Sequence, residues 1–317
     1  MKAIEVVGLE KKYKNGVLAL DGLNLEVQSG EVFALLGPNG AGKSSLLNIL
    51  TTFYMPTGGY VKVLGKDVVK DAREVRKDIA CVAQRISIDE HMSLMDNMLF
   101  QSRLYKIDKS VARKNITSLI GCFGLEKYLK YPVASYSGGI KRRLDIAMNM
   151  VSLPKILFLD EPTVGMDIES RKSMWDMLRQ IKGEYKTTIL LTTHYLEEAD
   201  SLSDTICIMN NGKEIRQDTP QNLKKFTRMN LIKIGFFNNE TCNKAQVFLK
   251  DMGIFIYKKE INSIYIVSDE NYANFKEIGG LMVKNDMDFC SLEISQPTLE
   301  DVFFSMVNGG KGCGKVC

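Results

Sequence analysis

Gly37-Pro38-Asn39-Gly40-Ala41-Gly42-Lys43-Ser44 satisfies the pattern G-x-x-x-x-G-K-[ST] without a gap. Before it stands the apolar run Glu31-Val32-Phe33-Ala34-Leu35-Leu36, of strand length. After it, Ser45-Leu46-Leu47-Asn48-Ile49-Leu50 opens a helix with one apolar face. Strand, glycine-rich loop and helix in that order predict a loop whose N–H groups converge on an anion, helped by the positive end of the helix dipole. The glycines let the main chain approach phosphate oxygens, Lys43 faces the β and γ phosphates, and the Ser44 hydroxyl suits the Mg2+ that travels with them.

Further along, Ile156-Leu157-Phe158-Leu159 is followed by Asp160-Glu161-Pro162. Four apolar residues ending in two acids predict a central parallel strand that delivers carboxylates to its C-terminal edge. Neighbouring side chains of an extended segment face opposite ways, so the two acids take different roles: Asp160 near the metal, Glu161 toward a water in line with the γ phosphate. Just ahead, Ser137-Gly138-Gly139 precedes a segment whose apolar positions Ile140, Leu144, Ala147 and Met148 keep helical spacing. Serine and two glycines at a helix start make a second anion site. The basic residues Lys141-Arg142-Arg143 inside that helix read as a solvated face.

Taken together these segments resemble the ATP-binding subunit of ABC transporters. Tyr136-Ser137-Gly138-Gly139-Ile140 is similar to the family signature, although the commonest form begins with Leu and ends with Gln. Asp160-Glu161-Pro162 is similar to the end of the family's Walker B strand. The resemblance places the Q-loop glutamine at Gln84, after Ile79-Ala80-Cys81-Val82-Ala83. It places the D-loop aspartate at Asp167, in Thr163-Val164-Gly165-Met166-Asp167, and the switch histidine at His194, after Thr188–Thr193. It also puts an adenine-stacking aromatic at Tyr13. It implies a P-loop NTPase cassette of α/β class, with a RecA-like parallel core, an antiparallel β subdomain and a helical subdomain. Within it Glu161, His194 and Gln84 are the implied catalytic residues, and Ser44, Gln84 and Asp160 the implied ligands of Mg2+. ATP would be held by Tyr13, the loop Gly37, Pro38, Asn39, Gly40, Ala41, Gly42, Lys43, Ser44 and Ser45, and, from a second copy of the chain, Ser137, Gly138, Gly139 and Asp167. The signature variant, with His194-Tyr195-Leu196-Glu197-Glu198-Ala199-Asp200 and the tail segment Pro297–Phe303, resembles the daunorubicin-resistance exporter branch. That branch implies a separate membrane permease as partner and ATP-driven export, with a homodimer of cassettes. The resemblance also admits a soluble ABC-type ATPase working on a non-transport partner, or a nucleotide-sensing regulator without turnover.

With 317 residues, 45 % of them hydrophobic, the chain can hold two cored domains. A net charge of +4 without a long basic block excludes a nucleic-acid arm. Met1-Lys2-Ala3-Ile4-Glu5-Val6 carries charges where a secretory leader needs an apolar core, and there is no run of about 18 apolar residues to span a bilayer, so the chain is expected in the cytosol; the permease that the resemblance implies would hold it on the inner face of the cell membrane. Seven scattered cysteines read as reduced thiols, with Cys313 and Cys317 in a flexible Gly-Lys tail over 309–317.

The cassette is expected over 1–220, with helices inserted over about 87–135. There Ser93 and Asp96 form a capping pair, and Leu94, Met98 and Leu104 mark apolar faces. A small α+β domain is expected over 221–308, as strand 231–236, helix 241–251, strands 254–257 and 263–267, helix 271–283 and strand 289–294. That β-α-β-β-α-β order is ferredoxin-like, and Thr298 and Asp301 cap a last helix.

Overall fold

Val32–Leu36, buried at every position, is the strand on which the first half of the molecule is organised. In the computed structural model, which describes residues 1–226, 230–268, 272–295 and 298–307, the chain divides into two compact units, Met1–Thr219 and Pro220–Cys317. The first unit opens with β1 (Lys2–Lys12), β2 (Leu18–Gln28), β3 (Val32–Leu36), α1 (Lys43–Leu50), β4 (Gly58–Val63), β5 (Lys66–Asp67), α2 (Ala72–Asp78) and β6 (Ile79–Val82). It continues with α3 (Leu94–Leu104), α4 (Lys109–Cys122), α5 (Gly138–Met150), β7 (Ile156–Asp160), α6 (Ile168–Tyr185), β8 (Thr188–Thr193), α7 (Leu196–Leu202), β9 (Thr205–Asn210) and β10 (Lys213–Asp218).

A six-stranded sheet runs in the order β10-β9-β3-β8-β7-β6. All its neighbours are parallel except β10 with β9. β3 and the first four residues of β7 are unbroken apolar runs, and β8 is buried at every position, because helices cover both faces of such a sheet. The second sheet, β2-β1-β4-β5, is antiparallel and alternates buried with exposed positions, as in Val61 and Val63 against Tyr60 and Lys62. Ile4, Val6 and Leu23 of this sheet share one apolar core with Leu46 and Ile49 of α1 and with Phe33 and Phe158 of the parallel sheet. The helix carrying the phosphate loop is thus anchored on both sides.

In the inserted region, α3 begins where Ser93 Oγ accepts from the Asp96 amide at 3.1 Å. Leu94 and Met98 are buried, whereas Leu104 is 61 % exposed and marks no buried face.

The second unit comprises α8 (Pro220–Phe226), β11 (Asn230–Gly235), α9 (Asn239–Asp251), β12 (Ile256–Glu260), β13 (Ser263–Ser268), α10 (Tyr272–Lys284), β14 (Ser291–Ser295) and α11 (Leu299–Val307). Its sheet is antiparallel in the order β12-β13-β11-β14. Ile232, Ile234, Ile264 and Ile266 pack against Ala245 and Leu249 of α9 and Ile278 and Met282 of α10. Ile254, expected in a strand, instead closes α9: Gly253 adopts φ +75° and donates to Lys250, and the Ile254 amide reaches back to the Leu249 carbonyl at 2.9 Å. β12 therefore starts two residues later than its apolar pattern suggested. Asp301 donates its amide to Thr298 Oγ1 at 3.3 Å and accepts from the Thr298 amide at 2.7 Å, a reciprocal cap for α11. Asn271, Pro297 and the tail with Cys313 and Cys317 lie outside the described residues. Cys81, Cys122, Cys207, Cys242 and Cys290 are free thiols.

Candidate functional site

The loop between β3 and α1 can take its shape because two of its residues lack a side chain where the backbone needs φ > 0: Gly40 at +83° and Gly42 at +102°. A Cβ on Gly42 would stand 2.5 Å from the Ala19 carbonyl oxygen, and one on Gly37 2.5 Å from that of Met209. Lys43, 6 % exposed, donates from Nζ to the carbonyls of Gly37 at 2.7 Å and Pro38 at 3.1 Å. Burial lowers its pKa, with Glu161 and Asp160 pulling the other way. A cleft of about 520 Å³ opens over this loop. Tyr13, Asn39, Gly40, Ala41, Gly42, Lys43, Ser44, Ser45, Gln84, Asp160 and Glu161 line it, so three distant segments meet the phosphate loop in one place. Tyr13 and Ser45 share a hydroxyl–hydroxyl hydrogen bond of 3.0 Å, which ties the aromatic to the loop.

The two acids separate, though not by alternating along a strand as expected. β7 ends at Asp160, and Glu161 turns into the left-handed region at φ +44°. Such a conformation costs a non-glycine residue about 1–3 kcal/mol and persists where neighbours enforce it. One of those neighbours is Thr192: its hydroxyl donates to Asp160 Oδ1 at 2.6 Å and accepts from the Glu161 amide at 3.0 Å. The carboxylate of Glu161 is thereby placed between two side chains. Gln84 Nε2 donates to Oε2 at 3.1 Å, and His194 Nδ1 lies 3.1 Å from Oε1. Since an ionised carboxylate only accepts, Nδ1 is the protonated nitrogen in that contact.

Ser137, Gly138 and Gly139 do not line this cleft. Ser137 is the N-cap of α5 without using its side chain as a cap, so its hydroxyl makes no local helix bond. Gly138 has nothing within 4 Å of where a Cβ would stand. The two glycines border a smaller cavity of about 110 Å³, shared with Gln84, Glu161 and Arg142. Asp167 is also apart from the cleft. It caps α6, accepting from the Ser170 amide at 2.9 Å and the Ser170 hydroxyl at 2.7 Å, and these bonds lower its pKa.

Sequence reasoning missed Thr192 and Arg142. The latter is 3 % exposed and belongs to no solvated face. Its guanidinium donates to the carbonyls of Ala83 at 2.5 Å, Asp160 at 3.0 Å and Pro162 at 3.3 Å. A basic triplet in a helix carries no sign of which member turns inward. The only available hint is position: i+4 from Gly138 falls on Arg142, one turn along the same face.

A family model described as ABC transporter matches residues 20–164. The daunorubicin/doxorubicin resistance ATP-binding protein DrrA of Streptomyces peucetius is 36 % identical over 307 residues, 96 % of this chain and 92 % of that protein. The Nod factor export ATP-binding protein I of Ralstonia nicotianae is 36 % identical over 220 residues, 69 % of this chain and 68 % of the relative. Among solved structures, the dimeric post-hydrolysis state of the ATP-binding cassette MJ0796 bound to ADP and Pi matches with a TM-score of 0.60 at 25 % identity, covering 68 % of this chain and 98 % of that one.

Proposed function

This chain belongs to the ABC transporter family, and from that premise we propose that it is the ATP-hydrolysing subunit that drives a separate membrane permease in export. The observation that carries the reading is the Glu161 carboxylate, held between Gln84 and His194 at the edge of a cleft that also contains Lys43, Ser44 and Asp160. ATP is the substrate. Its phosphates are assigned to the loop Gly37–Ser45 and its adenine to Tyr13, which lines the same cleft. Ser44, Gln84 and Asp160 offer hydroxyl, amide and carboxylate oxygens, a hard donor set that fits Mg2+. When bound, that ion neutralises charge on the β and γ phosphates.

Glu161 accepts a proton from the attacking water as its oxygen bonds to the γ phosphorus, and the bond to the bridging oxygen breaks to leave ADP and phosphate. Lys43 offsets the charge that grows on the phosphate oxygens, and His194 steadies Glu161. Ser137 keeps its hydroxyl uncommitted at a helix N-terminus outside its own cleft, which suits a nucleotide held by a second copy. The resembled cassette is dimeric, and a head-to-tail homodimer would make two such sites. Export is inferred from the naming of the relatives, and the permease would hold the chain on the cytoplasmic face of the membrane. Among the described residues no helix is long and apolar enough to cross a membrane.

The test is Glu161→Gln in the purified chain. ATP should still bind and phosphate release should fall about 10²–10⁴-fold. Turnover at the wild-type rate in this variant would refute hydrolysis through Glu161.

A further inference from the structure

Arg142 spends its donors on main-chain oxygens, and those oxygens belong to the two loops that carry the proposed chemistry. Nη2 donates to the Asp160 carbonyl at 3.0 Å and Nε to the Pro162 carbonyl at 3.3 Å, so the guanidinium grips the chain on both sides of Glu161. Nη1 donates to the Ala83 carbonyl at 2.5 Å and lies 3.5 Å from that of Gln84. Nη1 also pairs with Asp145 Oδ2 at 3.4 Å on the same helix, and the other oxygen of Asp145 accepts from Ser87 Oγ at 2.7 Å, a third hold on the loop after Gln84. Arg142 and Asp145 are both on α5, the helix that begins at Ser137.

We propose that Arg142 is a positioning residue for hydrolysis, fixing the left-handed backbone of Glu161 and the Gln84 loop so that their side chains meet, and linking both to the helix that carries Ser137-Gly138-Gly139. This rests on the function proposed above. A buried guanidinium without acceptors would be strongly unfavourable, so its carbonyl partners are as constrained by it as it is by them. Only a planar fork with five N–H donors can serve diverging carbonyls from one point; an ammonium of similar length offers a single centre. The consequence reaches beyond one site. A contact made at Gly138 with nucleotide on another copy lies one helical turn from the group that sets this copy's own Glu161.

The experiment compares wild type, Arg142→Gln and Arg142→Lys in the full chain. Steady-state hydrolysis, binding of a fluorescent ATP analogue, and hydrogen exchange over 83–87 and 161–166 are measured for each. In Arg142→Gln kcat should fall about 10²-fold, the cost of an ångström-scale misplacement, while the affinity for nucleotide stays within about twofold. Exchange in both loops should quicken. Arg142→Lys should recover part of kcat, and it decides the matter by the same measurements where the Gln variant does not fold. A kcat within about twofold of wild type, or a loss of nucleotide affinity in step with kcat, would overturn the assignment. Unchanged exchange in both loops would overturn it whether or not the chain hydrolyses ATP, whereas an inactive wild type with quickened loops in the variant would refute the proposed function and leave only the hold of Arg142 on the two loops.

Discussion

Glu161 and His194 face each other at 3.1 Å, Oε1 to Nδ1, although 33 positions separate them in the chain. The contact exists because β7 and β8 are neighbours in the parallel sheet and both end at the same edge, Asp160 opposite Thr192. Acid and imidazole are delivered by the two strand ends, and Thr192 sets the backbone between them. The pair gives the imidazole of His194 a place from which to orient the carboxylate.

His194→Ala should therefore lower kcat about 10²–10³-fold with little change in nucleotide affinity. Measuring phosphate release alongside nucleotide binding separates the two effects. Affinity falling as far as kcat would mean that the histidine binds substrate in the ground state.

Gly138→Trp tests where the signature acts. There is free space around the position a Cβ would occupy, so the chain itself should fold and bind ATP as before. Hydrolysis should be abolished, since the added indole would stand where a second copy's nucleotide is proposed to dock. Loss of ATP binding by the monomer would contradict this division of labour.

Gly42→Ala makes the opposite case. The backbone there sits at φ +102° and the new Cβ would meet the Ala19 carbonyl at 2.5 Å, so the loop has to move. A left-handed position alone costs an L-residue about 1–3 kcal/mol, and the clash adds to it. Nucleotide affinity should drop at least tenfold and the thermal midpoint should fall, both read from melts with and without ATP.

Glu198 sets a pH dependence. It is fully buried on α7, accepting from Thr163 Oγ1 at 2.8 Å and Trp175 Nε1 at 3.1 Å, and burial raises its pKa above 4.5. The folded state then holds this proton more tightly than the unfolded chain does, so stability declines as pH rises from about 4.5 through the raised value. Glu198→Gln removes that titration. Wild type should gain on the variant in thermal midpoint between pH 8 and pH 5, and a constant gap across this range would exclude the effect.

Much of the site could be read from order along the chain. Gly37–Ser44, Ser137–Gly139 and the run Ile156–Glu161 are contiguous, and each combines a residue preference with a periodicity that shows in a few positions: a glycine where φ is positive, an apolar run where a strand is covered on both faces. The small second unit was readable for the same reason, down to the reciprocal cap of Thr298 and Asp301. Its strand edges were less so, because Ile254 serves a helix end and a strand pattern equally well until the turn at Gly253 is seen.

The sequence by itself determined which chemistry this chain can perform: a loop for phosphates, acids at a strand end, a serine and two glycines at a helix start. These are local, since backbone preference and side-chain spacing act over a few residues. Only the tertiary structure decided how the pieces constrain one another. Thr192 lies under the two acids because of strand order, Glu161 leaves the extended conformation because its neighbours are held, and Arg142 turns inward while Lys141 pairs with Glu90 at 2.6 Å on the surface. Two basic residues in adjacent positions met different fates because burial and carbonyl acceptors are properties of the packed sheet and helix, and neither exists until distant segments have come together.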